Sequence, residues 1–316
     1  MHDRAFDFHG VALRLVTDSI CVVDAAQYAF EPFRIECLKA DPLELRVETC
    51  SSSPRSILSP AAELVADTFR TRSSESNQWV CSLYREPGGV LSAYFPDYAL
   101  LRVVSSENVV VMLRTALSDS HLIGSVLAFG VLELIKTRGL FPIHGAALEK
   151  NGYGVLLAGT AGSGKTRSCV ALLSGGWRCI SNDLALVRER DGVAEILAFD
   201  LRNNDAMRCA ASVCPELGET VGSPALDQQK CMRVRAVVLS QSVDAEESRL
   251  ETMRRSLVLV ELVRHSVVFN SNLARSHFDL LARLISSCRC YRLCCGHDVQ
   301  RLPWILDSSL CLEPPS

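Results

Sequence analysis

The 316-residue sequence has no marked excess of charge of either sign, with 33 Lys and Arg against 36 Asp and Glu. A strong positive surplus would favour binding to nucleic acids or anionic membranes, so the balance gives no reason to expect either partner. The sequence also lacks internal repeats and low-complexity tracts, and 48% of its residues are hydrophobic. This composition is typical of a globular protein with one large domain or two ordinary ones.

A long hydrophobic run is also missing. The most apolar stretch, residues 122–135, is too short to cross a bilayer and contains Glu133. One of residues 118–120 can cap its start and Gly139 can end it, so we expect a buried helix of about four turns. No signal-peptide core follows the charged residues 1–4, which favours a cytoplasmic location.

The 14 cysteines include no Cys-x2-Cys pair, the spacing common in zinc sites. In a long chain without a signal peptide, they indicate a reducing compartment more than a disulfide framework. The densest group could in principle hold zinc, but it alternates with larger residues as a strand does. We therefore expect small buried residues of a late strand at Cys288, Cys290, Cys294 and Cys295, with His297 beside them.

Residues 1–115 read as β-rich, because short apolar and alternating runs such as 11–16, 43–47 and 109–113 recur through them. No catalytic motif stands out there. We expect a separate β layer or lobe that selects a partner, with a cover for the sheet or an oligomer contact as the alternative. Residues 116–316 are expected to form the second domain, and a homo-oligomer stays open.

One motif in the second domain matches the phosphate-binding loop pattern Gly-x4-Gly-Lys-Ser/Thr in full. Glycines let successive backbone N–H groups approach phosphates, and the N-terminus of a following helix adds partial positive charge. Lys165 is expected to reach the β- and γ-phosphates of ATP, and Thr166 to hold Mg2+. The motif consists of Gly159, Thr160, Ala161, Gly162, Ser163, Gly164, Lys165 and Thr166.

The surroundings of the motif favour nucleotide binding over a purely structural glycine turn. An apolar run at 155–158 precedes it, and a helical pattern at 165–174 follows it. A second strand, at 177–181, then leads into Asn182 and Asp183. This order of strand, loop, helix, strand and acid predicts an α/β fold around the loop.

A β-hairpin is predicted just before the motif, because Asn151-Gly152 separates two apolar runs. With those two residues as the turn, the register places His144 opposite Gly159. A lone histidine is more often structural, but this one is predicted to lie at the mouth of the loop, which favours a functional role.

Further elements are predicted downstream: a hairpin at 184–201, and helices at 245–265 and 272–287. Three basic residues precede a late apolar strand. A solvated strand face is the commoner explanation for them, and a contact with phosphate is the alternative; they are Lys230, Arg233 and Arg235.

His144, the glycine loop and Asn182-Asp183 together resemble the HPr kinase/phosphorylase family, and more closely its relatives that accompany peptide-modifying genes, including lasso-peptide kinases. The resemblance covers about residues 120–300. It implies a P-loop core like those of HPr kinase and phosphoenolpyruvate carboxykinase, joined to the β-rich N-terminal region. It also implies an ATP- and Mg2+-dependent serine kinase acting on a peptide or small protein.

The same resemblance implies catalytic roles for His144, Lys165 and Asp183, with Asp183 and Thr166 near the metal. Two departures matter. Asn182 stands where the family has the first of two adjacent aspartates, so the base is either Asp183 or an unidentified acid such as Asp200. Residues 200–203 barely match the Glu-Ile-Arg-Gly signature, which argues against HPr itself as substrate. A non-catalytic nucleotide-binding module and a small-molecule kinase are the alternatives.

Overall fold

The computed structural model describes residues 1–38, 41–72, 78–160, 162–182, 184–199, 231–266 and 271–310. These residues form two compact units, which divide between Arg138 and Gly139. Each unit contains one large β-sheet with helices packed on it, so the predicted mixed α/β class is confirmed. Within the described residues, no helix is both long and apolar enough to span a membrane.

The first unit has a nine-stranded sheet in the order β3-β1-β2-β4-β9-β8-β7-β6-β5. Parallel pairs join β2 to β4 and β4 to β9, and the other pairs are antiparallel. The strands are β1 His2–Phe8, β2 Val11–Thr17, β3 Arg34–Ile35, β4 Leu43–Cys50, β5 Glu63–Arg72, β6 Gln78–Arg85, β7 Leu91–Phe95, β8 Ala99–Val103 and β9 Asn108–Arg114, and the helices are α1 Ile20–Ala29 and α2 Ser120–Lys136. The β-rich N-terminal region expected from the sequence is therefore present.

Helix α2 is the apolar helix that the sequence predicts, and its N-cap is Asp119, whose carboxylate accepts the N–H groups of His121 and Leu122. It packs on the first sheet. A Cβ added at Gly130 would lie 2.9 Å from Leu45 Cδ1, so glycine permits this close approach. The helix thus belongs to the first unit, whereas the sequence-based division after residue 115 groups it with the second.

The second unit contains the remaining elements. They are β10 Phe141–Lys150, β11 Tyr153–Ala158, α3 Lys165–Ser174, β12 Arg178–Ser181, β13 Leu184–Arg190, β14 Val193–Ala198, β15 Cys231–Ser242, β16 Arg249–Thr252, α4 Arg255–Arg264, α5 Ser271–Ser287, β17 Arg289–Cys295 and α6 Leu302–Leu310. The hairpin β13–β14 and helix α5 confirm two of the downstream predictions. The predicted helix at 245–265 is wrong in its first half: residues 249–252 form β16, because they pair with the edge of β17, and α4 begins at Arg255.

Five strands of this unit close into a ring. The first half of β10 pairs with β13 and its second half with β11; β13 pairs with β14, β14 with the start of β15, and β15 in parallel with β11. Helices α3 and α6 pack against one buried cluster that includes Leu157 and Val238, and α4 and α5 against another that includes Ile143 and Leu156. The strands that carry the glycine loop are thus buried on both faces.

Strand β17 accounts for the late cysteine group. Its three cysteines and Cys288 just before it are buried, as expected for small residues of an inner strand. All cysteines in the described ranges are free thiols. Among the same residues, no cluster of three or more His, Cys, Asp or Glu side chains could hold a metal ion, so the zinc alternative gains no support.

Candidate functional site

The glycine loop connects the end of β11 at Ala158 to the start of α3 at Lys165. The backbone has φ angles of 81° at Gly162 and 87° at Gly164, in the left-handed region that side chains with a Cβ disfavour. Gly164 is the residue that precedes the first turn of α3, whose N–H groups have no carbonyl partner within the helix. The loop therefore has the backbone geometry that brings N–H groups around an anion.

Lys165 bends back over this loop. Its Nζ donates to the carbonyl oxygens of Gly159, at 2.6 Å, and Thr160, at 3.0 Å. The side chain is half-buried, whereas Thr160 and Thr166 are exposed. Lys165 thus holds a positive charge at the centre of the loop, next to the exposed residue Thr166. Ala161 lies outside the described residues.

The ends of two neighbouring strands, β15 and β17, lie next to the loop. The Ser240 hydroxyl, at the end of β15, donates to the carbonyl of Ser163 at 2.8 Å, and it lies 3.5 Å from the sulfur of Cys295 on β17. A Cβ at Gly159 would lie 2.7 Å from the Ser240 carbonyl oxygen, which explains why glycine is needed there. Sequence reasoning missed Ser240, and it expected Cys295 only as a buried strand residue; the signal for Ser240 is a small polar residue at the end of an apolar strand.

His144 lies at the place where β10 changes partner. On one side it pairs with Leu184 of β13, and the next residue, Gly145, pairs with Ala158 at the end of β11. The hairpin turn has φ angles of 52° and 77° at Asn151 and Gly152, as a two-residue turn of this type requires. The predicted register is therefore confirmed, and it brings half-buried His144 to the first residue of the loop.

A second histidine, His265, was missed by sequence reasoning. Its carbonyl oxygen accepts the backbone N–H of His144 at 2.9 Å. Burial lowers the pKa of His265 below its ordinary value, and the neighbouring His144 and Lys165 lower it further. His265 thus lies next to His144 and within electrostatic reach of Lys165. The signal in the sequence is weak, a single histidine at the end of an amphipathic helix.

Strand β12 ends at Ser181, directly before Asn182 and Asp183 in the sequence. Ser181 and Asn182 are buried, and the Ser181 hydroxyl donates to the carbonyl of Leu184. Asp183, Asp200 and Lys230 lie outside the described residues, so their roles stay predictions. Two further basic residues are exposed on the outer face of β15, as the solvated-face interpretation expects; they are Arg233 and Arg235.

The described residues fit a bound polyphosphate. The left-handed glycines, the N-terminus of α3 and the Lys165 ammonium lie within the loop, and the pairing of β10 with β11 brings His144 next to its first residue. A magnesium ion prefers oxygen ligands and keeps several waters, which the exposed Thr166 hydroxyl suits. The role of Thr166 as a ligand remains a prediction, as does its pairing with Asp183.

Comparisons with known proteins find partial sequence matches to HPr kinases. Residues 118–199 match a family model described as SynChlorMet cassette protein ScmC. The chain is 32% identical over 119 residues to an HPr kinase/phosphorylase of Bacillus licheniformis and 33% identical over 87 residues to that of Bacillus pumilus. These alignments cover 37% and 28% of this chain, and 37% and 27% of the relatives, so the chain spans well under half of their length.

A solved structure, the HPr(Ser) kinase/phosphatase of Coxiella burnetii, is similar at 12% identity with a TM-score of 0.27; the match covers 54% of this chain and 93% of the other. A score this low carries no argument about fold. The sequence matches do confirm the resemblance that the motifs predict. The chain is therefore HPr-kinase-like over part of its length.

Proposed function

We propose that this protein is an ATP-dependent kinase that transfers the γ-phosphoryl group to a serine or threonine hydroxyl of a peptide or small protein. The observation that carries the proposal is the loop itself, with Lys165 at its centre and His144 brought to its first residue by the hairpin register. The sequence relationship to proteins named HPr kinase/phosphorylase supports the same chemistry.

Phosphoryl transfer depends mainly on alignment and on neutralising charge that spreads over the transferring group. In the proposed reaction, Lys165 and the N–H groups at the start of α3 bind the β- and γ-phosphates. Magnesium, when bound near Thr166, supplies further positive charge on those oxygens. His144 orients the transferring phosphoryl group, and Asp183 accepts the proton of the attacking hydroxyl or binds magnesium through water. The bond between the γ-phosphorus and the oxygen that leaves with ADP breaks as the bond between the γ-phosphorus and the acceptor oxygen forms.

The phosphate-loop assignment is tested by Lys165→Ala. This change removes the only ammonium of the loop, so we expect ATP affinity to fall by at least about tenfold, the effect of losing about 1.4 kcal/mol. Arg190→Ala is the matched control: it also removes one positive charge, from a side chain that is 64% exposed and six residues along β13 from Leu184. Direct titration with ATP, with and without Mg2+, gives the answer, and normal binding by folded Lys165→Ala would overturn the assignment.

A kinase and a non-catalytic nucleotide-binding module differ in one measurement. Asn182 in place of an acid is the observation that favours the module. ADP release that increases on addition of candidate peptides would support the kinase, and mass spectrometry would locate the added phosphate. A peptide of the lasso type is the first acceptor to test. Transfer to a small metabolite, but to none of the peptides, would favour a small-molecule kinase instead.

A further inference from the structure

His265 is fixed beside the candidate phosphate site by two backbone contacts. It is the C-cap residue that follows helix α4, and its carbonyl oxygen accepts the backbone N–H of His144 at 2.9 Å. The adjacent residues Ile143 and Ser266 form a single antiparallel bridge. The end of α4 is thereby attached to the first half of β10, at the residue that reaches the glycine loop.

The surroundings of His265 disfavour a protonated imidazole. Burial lowers the pKa of His265 most, and the neighbouring His144 and Lys165 lower it further; Arg264 also lowers it, whereas Glu261 raises it. The C-terminus of a helix normally favours a protonated histidine. Here that effect is outweighed, so the environment of the half-buried His265 ring favours its neutral form.

We propose that His265 is a phosphate-sensing residue of this site, whose imidazole takes up a proton from solvent when a polyphosphate binds at Lys165 and then adds its own positive charge to the bound anion. The proposal rests on the proposed function, because it requires an anion at Lys165. The physical basis is a change in the electrostatic potential at the His265 ring. The free protein makes this potential positive, and the negative oxygens of a bound phosphate make it negative.

The proposal has a definite pH dependence. Proton uptake on binding is greatest at pH values between two limits: the lowered pKa of His265 in the free protein, and the higher pKa that His265 has beside a bound phosphate. Nucleotide affinity therefore rises as the pH falls through the higher pKa, and stops rising below the lower one. A shift of one pKa unit corresponds to about a tenfold change in affinity.

Calorimetric titration with a non-hydrolysable ATP analogue tests this coupling. In buffers of different ionisation enthalpy between pH 6 and 8, the parent protein is expected to take up more protons on binding than His265→Gln does. The His265→Gln variant is expected to bind the analogue as tightly as the parent does at pH 8, and several-fold more weakly than the parent at pH 6. His121→Gln is the matched control, because His121 is exposed in the first unit; the analogue's own phosphate titrates equally in all three proteins.

The two hypotheses fail in different ways. If the parent protein does not bind the analogue, the proposed function is wrong and the inference falls with it. If the parent binds, but His265→Gln takes up as many protons as the parent, the inference alone is wrong. Should His265→Gln not fold, NMR titration of the histidine rings in the parent, with and without the analogue, replaces it, and an unchanged pKa of His265 would overturn the inference.

Discussion

At the scale of single residues, the site combines the Lys165 ammonium with two neighbouring histidines, His144 and His265. The Lys165 ammonium is tied to the loop by two carbonyl oxygens. His144 and His265 are joined through the backbone, so a change at one ring alters the electrostatic environment of the other. The site is therefore best tested by changes that keep the backbone and alter one side chain at a time.

We expect His144→Ala and Asp183→Asn to leave ATP binding measurable and to slow phosphoryl transfer. Loss of a general base or a metal partner typically costs at least about a hundredfold in rate, and this is the effect expected for Asp183→Asn. His144→Ala is expected to slow transfer because the alanine cannot orient the phosphoryl group. Single-turnover measurements with saturating ATP separate these effects from binding. If both variants match the parent, the active-site assignment is wrong even though nucleotide binding stands.

At the scale of secondary-structure elements, the contact between β10 and β11 depends on glycine. A Cβ at Gly145 would lie 2.8 Å from the Leu157 carbonyl oxygen, whereas one at Gly130 in α2 would meet the flexible end of Leu45. We expect Gly145→Ala to lower the free energy of unfolding by about 1 to 3 kcal/mol, because the backbone must move. Gly130→Ala should cost less, since alanine also favours the helix. Calorimetric unfolding compares them, and equal costs would contradict the explanation.

Asp307 connects helix α6 to other elements of the second unit. Its carboxylate accepts from Lys150 Nζ at 2.7 Å and from Trp177 Nε1 at 3.1 Å. Asp307→Ala leaves both donors partly buried without this partner, so we expect a loss of about 2 to 3 kcal/mol. Glu247→Ala is the control, because its carboxylate is 81% exposed and 3.7 Å from Arg301, and surface pairs contribute little. Urea unfolding measures both, and similar midpoints for the two variants would show that Asp307 is not an anchor.

The elements that were predictable from the sequence are those specified locally. Asn151-Gly152 determines the hairpin register, and Asp119 begins α2, because turn and cap chemistry act over a few residues. The start of α4 and the strand at 249–252 were not predictable, since β16 exists only by pairing with β17, about 40 residues later in the chain. Ser240 was missed for the same reason: its contact with the loop depends on how distant strands align.

At the scale of the whole molecule, the first unit has its own nine-stranded sheet and ends after Arg138. We predict that it binds the acceptor, because an exposed strand edge can add an extended peptide as a further strand. A shortened chain beginning at residue 139 is the appropriate test, since one beginning at 116 would keep α2 without the sheet on which it packs. It should bind ATP normally but show a KM for the acceptor raised at least about tenfold.

The control for this prediction is binding of a labelled acceptor peptide to residues 1–138 alone. An unchanged KM in the shortened chain would show that the first unit covers a surface or makes an oligomer contact. If the shortened chain does not fold, absence of peptide binding by residues 1–138 would contradict the prediction by itself.

The ring formed by β10, β13, β14, β15 and β11 has a consequence for how the second unit opens. A strand at the edge of a sheet can detach alone, but each member of a closed ring loses bonds to two neighbours at once. Amide hydrogens in the centre of β11, which leads into the loop, should therefore exchange with deuterium only when the whole unit unfolds. Those of β16, an edge strand, should exchange through small local fluctuations.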